Sequence, residues 1–122
     1  MREGRQPPKP TITMLSASPG PVEDHVLAGA EEEGVPVTVE RPTKPCGAED
    51  LAIEAALTSA LGVGVGIDAS GHVCISHEKL RYTLADLSFD GATNLASARV
   101  AGHNAARLVV GVPLRLPAAR MP

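Results

Sequence analysis

The sequence predicts an α/β domain: a three-layer α/β/α fold with a mostly parallel mixed sheet of about five strands, one antiparallel. Three observations carry this expectation. Short β-branched segments alternate with longer segments of helical spacing, the order that builds a parallel sheet covered by helices. One pair of strand-like segments is separated only by Ala69-Ser70-Gly71, a hairpin signal that supplies the antiparallel member. The chain has 122 residues, which suits one domain and leaves little room for two.

Residues 1–10 are polar, contain Pro7, Pro8 and Pro10, and are expected as a flexible arm. Residues 11–117 are expected as the single domain and residues 118–122 as a tail. Thr11 to Leu15 is β-branched and apolar, a strand, and Ser16 to Pro21 is a turn by its Ser, Pro and Gly content. A helix over about Val22 to Glu33 follows from the stripe Val22, Val26, Leu27 and Ala30. Glu23 and Asp24 suit its first turn, and Gly34 is its natural stop in the left-handed region.

Val35 to Glu40 alternates as a second strand, and a Pro-rich loop leads to a second helix over Ala48 to Ala60, with Leu51, Ala55 and Leu61 inward. Gly62 to Asp68 is a continuous apolar run, as in a buried central strand. His72 to His77 is its hairpin partner. Residues 78–92 carry no clear pattern. Asn94 to Val110 is the clearest helix, capped by Thr93 or Asn94 and closed by Gly111. Val112 to Leu116 is expected as a last, edge strand.

Composition excludes several function classes. Aromatic residues are 2% of the chain, with Tyr82, Phe89 and no Trp, so a base-stacking surface for single-stranded nucleic acid is not expected. The formal charge of -3 offers no general attraction to nucleic acid or an anionic membrane. No apolar run reaches the ~18 residues of a membrane span, and Met1 to Pro10 lacks the apolar core of a secretory signal. A cytoplasmic protein is the expectation, with a bacterial microcompartment as the alternative location. Cys46 and Cys74 are too few for a disulfide framework. Charge is unevenly placed: residues 23–90 hold thirteen of the fourteen acids, whereas residues 91–122 hold none and four Arg. An acidic middle and a basic end can meet each other or two different partners.

Two clusters stand out chemically. Glu31, Glu32 and Glu33 occupy the last turn of a helix, where the dipole is already negative. They form either a solvated helix end or a carboxylate kept for a partner's cation or a shared metal, since hard divalent ions take carboxylate oxygens. Arg99, His103 and Arg107 recur four residues apart and make one basic stripe on the last helix, either solvated or facing a neighbour. Gly102 beside them costs about 1 kcal/mol against Ala within a helix, which points to close backbone approach.

Other motifs carry less. Gly62, Gly64 and Gly66 lie within a strand and lack the spacing of a dinucleotide fingerprint; their expected role is to let a helix or partner approach the sheet. Cys74 and Ser76 face one side of a strand and Ile75 and His77 the other, so Cys74 and His77 cannot share an ion. No nucleophile, base and acid set emerges, and catalysis by this chain alone is not expected.

Four segments, Glu31 to Glu40, Gly62 to Asp68, His72 to Leu80 and Gly102 to Arg115, resemble the small subunit of diol or glycerol dehydratase reactivases in order and spacing. That family is itself related to the medium subunit of the B12-dependent dehydratases. The resemblance implies a non-catalytic chain that pairs with a large ATPase subunit, in a complex of two large and two small subunits. It implies ATP or ADP on the large subunit, and a client, the adenosylcobalamin-dependent dehydratase, from which the complex releases damaged cobalamin by subunit swapping. It also implies that Glu32 supplies a carboxylate to a divalent ion such as Mg2+ shared with the large subunit. The expected partner interface is Glu31, Glu32, Glu33, Arg99, His103 and Arg107. Asn104 to Arg107 matches the family, while His103, Val110 and the stretch Arg81 to Asp90 depart from it. Two other readings stand beside this one: a subunit of the dehydratase itself, and a free-standing α/β domain that binds a small ligand or metal.

Overall fold

The computed structural model describes residues 10–79, 88–90, 92 and 94–111. In chain order the elements are β1 (Ile12–Ser16), α1 (Pro21–Glu32), β2 (Val37–Glu40), α2 (Ala48–Thr58), β3 (Val63–Ile67), β4 (His72–His77), β5 (Ser88–Asp90) and α3 (Leu95–Val110). The strands form one sheet in the order β2-β1-β3-β4-β5. β1 pairs parallel with β2 and β3, while β4 is antiparallel to both β3 and β5. β4 is therefore the one strand running against the others, as expected.

The topology places the helices. The chain leaves β1 to one side to reach β2, then returns past β1 to reach β3. Right-handed crossovers in opposite directions must lie on opposite faces of a sheet. Accordingly, α2 packs on β1, β3 and β4, while α3 packs on β3, β4 and β5 with α1 beside it. The larger core lies under α1 and α3, where Ile12, Met14, Val63, Val65, Val73 and Ile75 meet Val26, Ala30, Ala98 and Ala101. On the other face Leu15 meets Leu51 and Ala55, and Cys74 meets Ala48 and Ala52. This two-sided burial explains why β3 reads as a continuous apolar run and why all five residues of β1, Thr13 and Ser16 included, are buried.

With almost no aromatic volume to fill gaps, the layers close by moving backbones together. A Cβ added at Gly64 would sit 2.1 Å from the Ala56 nitrogen, and one at Gly66 would sit 2.3 Å from the Ala48 oxygen, so α2 lies directly on β3. On the opposite face α1 and α3 cross through a reciprocal pair: a Cβ at Gly29 would meet the Arg99 oxygen at 2.1 Å, and one at Gly102 the Val26 oxygen at 2.0 Å. Gly64 and Gly66 thus admit a helix to the sheet, and Gly102 admits a helix to a helix; Gly62, expected within the strand with the same role, lies before β3 in the left-handed region at φ 73° and faces the Glu78 side chain instead.

Several expectations change in detail. The fifth strand is β5, in the stretch without a clear pattern; it is three residues long and held by Phe89, which pairs with Val73 and is buried. The expected strand Val112 to Leu116, the tail and residues 1–9 of the arm lie outside the described residues. Ser16 belongs to β1 rather than to the turn. α2 ends at Thr58, so Leu61 is not on it and packs instead against the core on the other face. Helix ends otherwise agree: the Asn94 side chain accepts from the Ser97 N–H, and Gly111 closes α3 at φ 78°.

Gly102→Ala should be destabilising despite the better helix propensity of alanine. Propensity alone predicts a gain of about 1 kcal/mol, whereas overpacking against the Val26 carbonyl predicts a net loss of about 1–3 kcal/mol. A urea midpoint at or above that of the wild type would contradict the close crossing.

Candidate functional site

The acidic end of α1 and the basic stripe of α3 are one cluster. Residues 26–30 of α1 cross residues 99–103 of α3 at the two glycines. One turn further along α1, Glu32 and Glu33 arrive beside the side chains that α3 projects at four-residue spacing. Arg99 Nη1 donates to Glu32 Oε2 at 2.8 Å, and His103 Nε2 meets Glu32 Oε1 at 2.8 Å. The other imidazole nitrogen, Nδ1, meets Glu33 Oε2 at 2.7 Å, and Arg107 Nε donates to the same oxygen at 3.0 Å. Arg99 Nη2 also approaches His25 Nδ1 at 3.4 Å.

Each residue type suits its place. Arginine offers donors in a planar fork that carboxylates accept. Histidine has two ring nitrogens, and only a ring protonated on both can donate to both carboxylates. Burial is graded: His103 is 11% exposed, Glu33 20%, Arg99 36% and Glu32 49%. The hydrogen bond to His103 holds the Glu33 carboxyl below its ordinary value, with Arg107 adding to it against a smaller opposing effect of desolvation. Glu31 is exposed.

Five of the six expected interface residues, Glu32, Glu33, Arg99, His103 and Arg107, are therefore brought together, whereas Glu31 is not among these contacts, and the cations of α3 answer the unfavourable dipole at the end of α1. Between the two possibilities for the uneven charge, the acidic and basic regions meet each other. Glu32 keeps half of its surface open, and each carboxylate oxygen retains a second lone pair beyond the one in use, so the group can still face a cation. Among the described residues no three His, Cys, Asp or Glu side chains are grouped to hold a metal. Glu32 suits one contribution to a shared ion.

One ionic cluster was not legible in the sequence. Glu23 in the first turn of α1 is buried and pairs with Arg41, which also donates to the Ser16 carbonyl at 3.3 Å. Burial pushes the Glu23 carboxyl up, but hydrogen bonds from Arg41 and Ser16 and the Arg41 charge outweigh it, and the net shift is downward. Eighteen residues separate the partners, so no local spacing signals the pair. It ties β1 to the segment after β2 at the carboxyl ends of the strands. Nearby, Asp68 Oδ1 is spent on the N–H groups of Ser70 and His72. Cys74 is buried, bonded to Ser88 at 3.0 Å, and burial raises its thiol pKa, while Cys46 is exposed. Cys74 and His77 sit on opposite faces of β4, as expected. No helix among the described residues is long and apolar enough to cross a membrane.

Comparison with known proteins covers nearly the whole fold. Residues 9–115 match the dehydratase medium subunit family. The chain is 38% identical over 92 residues to the diol dehydratase-reactivating factor small subunit of Klebsiella michiganensis, spanning 74% of this chain and 70% of that one. Its structure is similar to that of a glycerol dehydratase reactivase, with a TM-score of 0.80 and 28% identity over 88% of this chain and 97% of the other. It is also similar to a chain from a diol dehydratase-reactivating factor solved with ADP and Mg2+, with a TM-score of 0.75 and 30% identity over 88% and 99% of the two chains.

The depressed Glu33 and Glu23 carboxyls carry a sign for pH dependence. A lowered folded value means stability that is present above the ordinary value of 4.5 and is lost as pH falls through the lower folded value. Melting temperature should therefore drop on acidification below about pH 4.5, and the slope should be shallower in Glu33→Gln and in Glu23→Gln. Melting curves between neutral and acid pH check this; slopes unchanged in both variants would contradict it.

Proposed function

The chain belongs to the dehydratase medium subunit family, and from its likeness to reactivating-factor chains within that fold we propose that it is the small subunit of a reactivating factor for an adenosylcobalamin-dependent diol or glycerol dehydratase. It binds a larger ATPase subunit and has no active site of its own. The observation that carries this reading is the match to reactivase chains over almost their whole length, 97% and 99%. A subunit of the dehydratase itself is the second reading, and membership of the dehydratase medium subunit family favours it.

The mechanism is an exchange of occupants. The small subunit and the dehydratase medium subunit share one family fold and compete for a docking surface on the large subunit. Occupancy then follows differential affinity, and nucleotide on the large subunit shifts it by changing that difference. While the large subunit holds the medium subunit, the dehydratase opens and releases damaged cobalamin; when the small subunit returns, intact enzyme is freed. ADP and Mg2+ accompany the related diol dehydratase-reactivating factor, and here the nucleotide is assigned to the large subunit.

Glu32 is the proposed link between this chain and the nucleotide side. A divalent ion supplies electrostatic attraction between subunits at that point. Glu32 contributes one oxygen ligand, and the α1–α3 crossing holds it at the surface. Glu31, Glu33, Arg99, His103 and Arg107 form the proposed interface around it.

Glu32→Ala should weaken assembly with the large subunit by about 2–5 kcal/mol in the presence of Mg2+, because a charge at the interface loses its partner. Isothermal calorimetry with the purified large subunit measures this. Unchanged affinity would remove Glu32 from the interface. Co-purification with bound cobalamin, and without an ATP-hydrolysing chain, would favour the dehydratase reading.

A further inference from the structure

Glu32 meets its two partners unequally. Oε1 faces His103, which is 11% exposed and whose other nitrogen is tied to Glu33 at 2.7 Å. Oε2 faces Arg99, which is 36% exposed and reaches it at 2.8 Å from a long, flexible side chain. One contact is anchored within the α1–α3 interface, and the other lies at its open edge.

We infer that His103 is a positioning residue that holds the Glu32 carboxylate through Oε1, and that Arg99 is a displaceable internal counter-ion covering Oε2 until the large subunit docks. This rests on the proposed role of Glu32 toward a shared divalent ion and assigns its control to two residues of this chain. A carboxylate that ligates through one oxygen while a neighbour holds the other is better oriented than a free one, and loss of such a holder typically costs 10–100-fold in metal affinity. Arg99 acts in the opposite sense. Its guanidinium charge repels an incoming divalent ion and takes one of the two lone pairs on Oε2, so it competes with that ion for the same oxygen. Arg99 has somewhere to go: Nη2 already lies 3.4 Å from His25 Nδ1. Its Nε is buried with no hydrogen-bond partner among the described residues, so the guanidinium reaches its polar neighbours through its two terminal nitrogens, Glu32 through Nη1 and His25 through Nη2.

The two residues therefore have opposite effects on one measurable quantity, the Mg2+ concentration at which the small and large subunits half-assemble. Calorimetric titrations of the full chain with the large subunit, across Mg2+ concentrations and in chelator, read it directly. Arg99→Gln should lower the half-assembly concentration about two- to five-fold, the equivalent of losing one exposed ion pair. His103→Ala should raise it by about 10–100-fold, and His103→Gln, which keeps an amide donor toward Oε1, should recover part of the loss. Circular dichroism melts of each variant confirm that the domain is folded before assembly is read. A higher Mg2+ requirement for Arg99→Gln overturns the counter-ion role, and equal shifts for His103→Ala and His103→Gln overturn the positioning role. Assembly that ignores Mg2+ in the wild type overturns both roles together with that of Glu32. A wild-type chain that never assembles with the large subunit overturns the function beneath them.

Discussion

Gly29 and Gly102 let two helices touch backbone to backbone, and the rest of the α1–α3 face depends on that approach. Any side chain at either position would meet a carbonyl oxygen of the other helix at about 2 Å, far inside contact distance. Wider separation would pull Glu32 and Glu33 away from Arg99, His103 and Arg107, whose contacts lie between 2.7 and 3.0 Å. It would also open the core beneath, where Ala98, Ala101 and Ala105 are buried against the sheet. The ionic cluster is thus a consequence of the packing rather than its cause. The Arg99–Glu32 pair, a third to a half exposed, contributes little, and it could not hold the helices together by itself.

The same economy operates on the other face of the sheet. Gly64 and Gly66 face α2 through Ala48, Ala52 and Ala56, and the single Phe is spent on anchoring β5. A chain this poor in aromatic residues reaches close packing by bringing backbones together, and interiors tolerate few voids. In a subunit proposed to trade places with a relative on one docking surface, a rigid body presenting a fixed carboxylate suits the exchange better than a yielding one.

The sequence showed the oddities of the candidate site but not their relation. Three acids at a helix end and a basic stripe four residues apart were each visible, and each admitted a solvated reading. About seventy residues separate them, and nothing in local spacing says that they touch. Gly102 is the one hint, since a glycine within a helix invites a close neighbour; its counterpart Gly29 lies beside Ala28 and Ala30, where a small residue is in keeping with its surroundings. The buried Glu23–Arg41 pair escaped for the same reason: a carboxylate in the first turn of a helix already has an adequate local explanation in the dipole.

Local rules decided most of the architecture. Periodicity placed three helices and four strands to within a few residues, the Ala69-Ser70-Gly71 turn assigned the antiparallel strand, and Asn94 and Gly111 marked the ends of α3, because caps and turns are settled by neighbours in sequence. The tertiary structure alone decided the short strand Ser88–Asp90, whose three residues cannot show a period and are held by pairing with β4. It also decided which charges pair. Backbone hydrogen bonds and helical stripes are set within a few residues along the chain, whereas an ion pair between two helices exists only once both have packed on the same face of the sheet.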